Sequence, residues 1–179
     1  MRSRFVGFFI LMIMIAVTSV CYATDLCYEY IKIRKYDDAI RECTRQINRQ
    51  TEVDDVGIAY ANRGIAYAGK GQYDQAIADY DTAIKAKPRY EKAYFNRGNA
   101  YYAKGQYDDA IDDYTKTIEL NPKNPYPYYN TACIYSVRAC EQLRKGVENG
   151  FKDWNIMEKD KDLDNIRNSS CYKEIKRDK

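Results

Sequence analysis

The chain has 179 residues, and hydrophobic residues make up 45% of it, which is enough to build the core of a single domain. Its 29 basic and 26 acidic side chains give a net charge of +3, far below the basic balance of nucleic-acid-binding proteins, so we expect no nucleic-acid partner. Histidine is absent from the sequence, which excludes Ser-His-Asp and Cys-His nucleophiles, histidine-ligated metals and Cys-x-x-Cys-His haem attachment. These absences remove the most familiar enzyme, haem and metal sites. We therefore expect a protein that is not an enzyme and that uses neither a cofactor nor a metal, with carboxylate-based catalysis as the less favoured alternative.

Residues 1–23 have the pattern of a secretory signal peptide. Arg2 and Arg4 supply positive charge, and residues 5–17 form an uncharged apolar run. Cys21-Tyr22-Ala23 then places small residues at positions −3 and −1 of a signal-peptide cleavage site after Ala23. The alternative is an uncleaved membrane anchor, although a spanning helix needs about 20 apolar residues and this run weakens before that length. We therefore expect an exported protein of the bacterial periplasm or cell envelope, which contacts a membrane only if the N-terminal segment stays uncleaved.

The cysteines of the mature chain are odd in number, so at least one thiol has no partner for a disulfide. Their spacings contain no Cys-x-x-Cys, which disfavours a metal knuckle or a thioredoxin-type redox centre. We therefore expect structural cysteines rather than a reactive or metal-binding set. They are Cys27, Cys43, Cys133, Cys140 and Cys171.

A period of 34 residues dominates the middle of the chain. Residues 57–90 and 91–124 align without a gap and are identical at 18 of 34 positions. Both copies carry Lys-Gly-Gln-Tyr-Asp, at 70–74 and 104–108, with apolar residues at helical spacing on either side. A proline, which cannot continue a helix, ends each copy. Each copy is therefore predicted to be a helical hairpin, that is, two helices joined by a short turn.

These copies resemble tetratricopeptide repeats, which alternate aromatic and small residues and end in a proline. In the first clear copy the residues that carry the resemblance are Tyr60, Gly64, Tyr67, Ala76, Tyr80 and Pro88. The resemblance implies an all-α fold, a right-handed solenoid of helical hairpins that acts as a protein-interaction scaffold. It also implies that the repeated tyrosines pack in the core rather than form a site.

A degenerate first repeat covers 24–56, because residues 36–40 match 73–77 at an offset of 37. The repeat register places Cys27 and Cys43 on the facing helices of one hairpin. A Cys27–Cys43 disulfide is one hypothesis, and two buried thiols are the other.

A truncated fourth repeat covers 125–151 and lacks five residues, including the turn. Its helix either runs on towards Val147 or turns abruptly. Residues 152–179 resemble the tail that closes some bacterial arrays of this family. Trp154, Leu163 and Ile166 are expected to cover the last apolar face there.

The resemblance further implies that the first helix of each hairpin lines a concave groove. Asparagines recur there at 34-residue intervals, and their amides can both donate to and accept from an extended peptide. The alternative is that each asparagine hydrogen-bonds a neighbouring helix. The predicted peptide-binding residues are Asn62, Ile65, Lys92, Phe95, Asn96, Asn99, Tyr102, Tyr126, Tyr129 and Asn130.

One subclass of these repeats grips the C-terminal carboxylate of chaperone peptides, but this sequence matches its pattern only at Asn62 and Lys92. Asn96 stands where that pattern has arginine, and Thr24 and Tyr28 stand where it has lysine and asparagine. We therefore expect no carboxylate clamp. The favoured function is an exported scaffold that binds a peptide or protein segment, and the alternative is a structural or accessory subunit of a cell-envelope assembly.

Overall fold

The computed structural model describes residues 26–49, 53–150, 152, 154–159 and 169–177. The predicted signal peptide, residues 1–23, lies outside these ranges. Within them the regular secondary structure is entirely helical, and no helix is both long and apolar enough to cross a membrane. The helices are α1 (26–32), α2 (Tyr36–Arg49), α3 (Val53–Gly69), α4 (Tyr73–Ala86), α5 (Glu91–Ala103), α6 (Tyr107–Leu120), α7 (Tyr126–Glu148), α8 (Trp154–Lys159) and α9 (Ser170–Arg177). The chain divides into two compact units, Met1–Lys123 and Asn124–Lys179.

The described part of the first unit consists of three consecutive helical hairpins, α1–α2, α3–α4 and α5–α6. Three residues join the two helices of each hairpin, and so short a connection makes them antiparallel neighbours. Helix α3 packs against both α2 and α4, while α5 packs against both α4 and α6. The first helices α3 and α5 also touch each other. The prediction of an all-α array of stacked hairpins is therefore confirmed in this unit.

The three hairpin turns share one backbone geometry. In each of them the last turn residue donates its N–H to a carbonyl five residues back: Lys35 to Tyr30, Gln72 to Tyr67 and Gln106 to Tyr101. The preceding residue is left-handed, with φ of +76° at Gly71, +74° at Gly105 and +59° at Arg34. This is the geometry that closes a helix at a glycine. The degenerate repeat keeps it with an arginine in the glycine position.

Each of the two clear hairpins packs a tyrosine ring against a glycine of its first helix. A Cβ added at Gly64 would lie 2.6 Å from Cε1 of Tyr80, and one added at Gly98 would lie 2.8 Å from Cε1 of Tyr114. Both tyrosines are buried. Small residues thus let large rings fill the hairpin interior, as the repeat pattern predicts.

Two disulfides are present among the described cysteines. Cys27 on α1 pairs with Cys43 on α2, with a Cα–Cα distance of 5.4 Å, which is the first of the two hypotheses for this hairpin. Cys140 on α7 pairs with Cys171 on α9, with a Cα–Cα distance of 6.2 Å. Cys133 is a half-buried free thiol.

In the second unit, α7 runs without a break for 23 residues, because the segment that forms the turn in the other repeats is missing here. The tail folds back onto the second half of this helix. Trp154, Tyr172 and Ile175 are buried together against Leu143 and Val147. Trp154 thus covers an apolar face of α7, while Leu163 and Ile166, which were expected to join it, lie outside the described residues.

Candidate functional site

Two arginines, one in each clear repeat, join neighbouring hairpins of the first unit. The guanidinium of Arg63 on α3 donates to both carboxylate oxygens of Asp79 on α4, with N–O distances of 2.7 Å. It also donates to Oγ1 of Thr44 on α2, at 3.1 Å. Bidentate, charge-assisted pairs of this kind are strong and fixed in geometry. Arg63 therefore holds its own hairpin together and connects it to the preceding one.

Arg97 on α5 repeats this arrangement one hairpin later. It donates to both oxygens of Asp113 on α6, at 2.8 and 2.7 Å, and also to Asp81 on α4. Burial raises the pKa of the Asp113 carboxyl, although the hydrogen bond from Arg97 lowers it. That hydrogen bond holds the pKa of Arg97 above its usual value. Since Asp113 is almost fully buried, its negative charge depends on Arg97 for compensation.

The chain contains 19 tyrosines, and four of them surround the two arginines Arg63 and Arg97. The guanidinium carbon of Arg63 lies 5.1 Å from the ring centre of Tyr60 and 5.9 Å from that of Tyr67. Arg97 lies 5.7 and 5.9 Å from the rings of Tyr94 and Tyr101. Rings at this distance attract a cation and shield it from water. These four tyrosines therefore belong to the framework, as the repeat resemblance implies.

The arginine pairing was not part of the sequence-based prediction. A signal for it does exist, because arginine and aspartate recur 16 residues apart in both clear copies. Arg63 and Arg97 directly follow the predicted asparagines Asn62 and Asn96 in the sequence. Because each arginine is already paired with a carboxylate, neither is left to bind an acidic ligand.

A groove of about 350 Å³ opens where the first helices of the three hairpins meet. Helices α1, α3 and α5 supply most of its wall, and α2 and α4 contribute three tyrosines. None of the eleven lining residues is charged. They are Ile31, Tyr36, Ile65, Ala68, Gly69, Tyr73, Tyr80, Asn96, Asn99, Ala100 and Ala103.

Of the ten residues predicted to bind a peptide, the structure brings Ile65, Asn96 and Asn99 together in this groove. Asn62 lies on α3, about one turn before Ile65. Asn62 and Asn96 are half-buried, and neither amide has a hydrogen-bond partner in the part of the chain that the structure describes. Their amide groups thus remain available, whereas the alternative interpretation had them bonded to a neighbouring helix.

Three further predicted residues belong to the first unit but do not line the groove. Lys92 is exposed on α5. The Phe95 ring lies 6.0 Å from the Tyr114 ring, and the half-exposed Tyr102 ring lies 5.7 Å from that of Tyr107. Ring packing within the array thus involves two of these three side chains.

The last three predicted residues, Tyr126, Tyr129 and Asn130, lie on α7 in the second unit. Tyr126 and Tyr129 are 65% and 69% exposed. Within the first unit, the row of repeated asparagines therefore consists of Asn62 and Asn96.

Tyr80 is a groove residue that the sequence-based prediction assigned to packing alone. Its counterpart in the next hairpin, Tyr114, donates its hydroxyl to Oδ1 of Asn99 at 2.8 Å. Ile65 occupies the position aligned with Asn99 and offers no acceptor. Among the described residues the Tyr80 hydroxyl consequently has no hydrogen-bond partner, although the side chain is only 1% exposed. Comparing positions 65 and 99 in the aligned copies could have found this difference.

Models of one protein family match most of the repeat region. A model described as "Tetratricopeptide repeat" matches residues 91–124, another with that description matches 113–150, and one described as "TPR repeat" matches 64–105. The chain belongs to the tetratricopeptide repeat family. Proteins of this family typically serve as interaction modules without catalytic activity. No curated protein is similar enough in sequence to count as a relative.

Solved tetratricopeptide repeat domains share the fold. The first such domain of Spaghetti (RPAP3), bound to the HSP90 peptide SRMEEVD, is 27% identical with a TM-score of 0.61; the match covers 66% of this chain and 92% of that one. The second domain of human RPAP3, in complex with the HSP70 peptide SGPTIEEVD, is 28% identical with a TM-score of 0.58, over 63% and 92%. The Sgt2 domain from Aspergillus fumigatus, 23% identical with a TM-score of 0.62 over 74% and 85%, is similar in fold.

Proposed function

We propose that this protein is a non-catalytic scaffold that binds a peptide or protein segment in the groove of its first unit. The observation that carries the proposal is the state of two amides, that of Asn96 in the groove and that of Asn62 about one helical turn away from it. The amides of Asn62 and Asn96 have no hydrogen-bond partner among the described residues, yet both are half-buried. Half-buried amides of this kind bond water in the free protein, and a ligand that replaces this water keeps their hydrogen bonds. A bound peptide backbone offers both the donor and the acceptor needed for this.

The chemistry of an amide suits this role. Each carboxamide offers one acceptor and two donors, so it can bond a peptide N–H and a peptide C=O without regard to side chains. The two asparagines are related by the 34-residue repeat on helices that touch, which suits a partner in extended conformation. The two RPAP3 domains with the same fold are themselves bound to peptides. This likeness supports the proposal.

Replacing both asparagines, Asn62→Ala with Asn96→Ala, should weaken partner binding by about 25-fold. Each lost hydrogen bond is worth about 1 kcal/mol, or roughly fivefold in affinity, and the two sites act on different parts of a peptide. The measurement is a titration of the purified variant with the partner recovered by the wild-type protein. Asn48→Ala, which removes an exposed amide on α2, is the matched control and should leave affinity unchanged. Equal recovery with and without the amides of Asn62 and Asn96 contradicts the proposal.

A structural or accessory role in a cell-envelope assembly is the second candidate, and one feature favours it. Four tyrosines on α7 are between 48% and 69% exposed, and aromatic residues are enriched at protein interfaces. They are Tyr126, Tyr128, Tyr129 and Tyr135. The double asparagine variant separates the two candidates, since assembly through α7 would survive the loss of both asparagine amides.

We also propose that the protein is exported and loses residues 1–23. The Cys27–Cys43 and Cys140–Cys171 disulfides support this, because disulfides persist in oxidising compartments. The intact mass of protein purified from the cell envelope should equal that of residues 24–179 with two disulfides, and maleimide should label one thiol, Cys133. A mass that includes residues 1–23, with every thiol reduced, contradicts export and cleavage.

A further inference from the structure

We infer that the groove selects an uncharged, extended segment of another protein, with an aliphatic side chain against its apolar wall and a backbone carbonyl on the hydroxyl of Tyr80. This rests on the proposed function and deepens it, because it names the chemical class of the segment. Three observations carry it: the charge of the lining, the composition of the wall and the state of one hydroxyl that lines the groove.

The lining contains no charged side chain, so an acidic segment would find no cation there. Arg63 and Arg97 are engaged by Asp79 and Asp113 through bidentate pairs, and Lys92 is exposed outside the lining. Moving a carboxylate out of water without a counter-charge is strongly unfavourable. The peptides held by the two RPAP3 domains, SRMEEVD and SGPTIEEVD, are acidic. This groove therefore disfavours a ligand of that kind.

The wall of the groove favours an apolar side chain. Ile31 on α1, Ile65 and Ala68 on α3, and Ala100 and Ala103 on α5 present aliphatic surface. The volume of about 350 Å³ lies in the range of pockets that take up small ligands. The small residues on α3 and α5 leave the space open, and an aliphatic side chain that enters it is removed from water.

The hydroxyl of Tyr80 is the polar group that orients the segment. Its ring packs closely against Gly64, which fixes where the hydroxyl lies. Burial raises the pKa of Tyr80, so the hydroxyl stays protonated and can donate a hydrogen bond. The aligned Tyr114 donates a hydrogen bond from its hydroxyl to Oδ1 of Asn99, but Ile65 leaves Tyr80 without an acceptor among the described residues. Tyr80 lines the groove, so a peptide carbonyl bound there could accept this hydrogen bond in place of water.

A peptide selection on the full mature chain tests the inference. The probe is a phage-displayed library of random twelve-residue peptides, panned on the immobilised wild-type protein and, in parallel, on the Asn62→Ala, Asn96→Ala double variant. The expected result is enrichment on the wild type of sequences that carry aliphatic residues and few charges. Enrichment of acidic sequences overturns the inference but leaves the proposed function standing. No enrichment over the double variant overturns both.

Two single-atom variants then test the role of Tyr80 with synthetic copies of the enriched peptides. Tyr80→Phe should weaken binding about fivefold and leave the unfolding transition unchanged, because its hydroxyl has no partner in the described chain. Tyr94→Phe is the matched control: it removes a hydroxyl that donates to the carbonyl oxygen of Pro88, and since neither residue lines the groove it should keep the affinity. Equal binding by wild type and Tyr80→Phe overturns the assignment of the donor.

A third variant adds the missing acceptor instead of removing the donor. Ile65→Asn reproduces in the second hairpin the residue that Tyr114 contacts in the third. It should engage the Tyr80 hydroxyl internally and weaken peptide binding at least fivefold, with no loss of folding. Tighter binding by this variant contradicts the inference.

Discussion

Replacing Arg97 with methionine should lower the free energy of unfolding of the first unit by about 3–5 kcal/mol, the largest effect we expect from one substitution in the array. Arg97 makes two parallel bonds to Asp113 and a third to Asp81. Without it, Asp113 keeps a negative charge in a site where its side chain is only 6% exposed, close to the like charge of Asp81. Urea unfolding followed by circular dichroism measures the loss.

Two comparisons make the Arg97 result specific. Lys116→Met breaks an ion pair with Glu119 in which both side chains are about half exposed and screened by water, so it should leave the unfolding transition almost unchanged. Arg97→Met combined with Asp113→Leu removes the stranded charge as well and should recover most of the loss. If Arg97→Met and Lys116→Met have equal effects, the arginine does not hold the hairpins together as described.

Removing the Cys27–Cys43 disulfide should destabilise the first hairpin by about 3 kcal/mol. The bond closes a loop between residues 16 positions apart, and in the chain-entropy model such a loop restricts the unfolded chain by about that amount. Helix α1 is a short helix in a degenerate terminal repeat, so the loss should concentrate there. Hydrogen exchange at the α1 amides, compared between wild type and the Cys27→Ala, Cys43→Ala double variant, measures it.

A reductant supplies the control for the disulfide prediction. Under reducing conditions the α1 amides of the wild-type protein should exchange about as fast as those of the double variant. Cys133→Ala, which removes a free thiol, should alter exchange in α1 under neither condition. Exchange in wild-type α1 that is insensitive to reductant contradicts a stabilising bond at this place.

Most of the fold could be predicted from the sequence because its determinants are local and repeated. The glycine of each turn and the small residues opposite Tyr80 and Tyr114 recur in register, so one copy explains the other. The sequence does not determine the path of α7, since the residues that form the turn elsewhere are missing there. The Cys140–Cys171 bond was not predicted either, because it depends on how the tail folds back.

The candidate site could be predicted only in part, and the reason is the difference between local and tertiary information. The positions of Asn62 and Asn96 follow from the repeat register alone. The availability of Tyr80 depends on which side chain faces it across the hairpin, Ile65 in one copy and Asn99 in the other. Each tyrosine by itself looks like a packing residue. Only the pairing across two helices shows that one hydroxyl is satisfied while the other is not.

The most direct test of peptide binding in the first unit is site-specific photo-crosslinking in intact cells. A photoreactive residue replaces Ala103, which lines the groove and is exposed, or Ala78, an exposed residue of α4 that is not part of the lining. Mass spectrometry of the digested products identifies the residues joined. The account predicts that Ala103 captures one continuous, uncharged segment of a partner protein and that Ala78 does not. Capture of that segment equally from both positions, or from Ala78 alone, would contradict it.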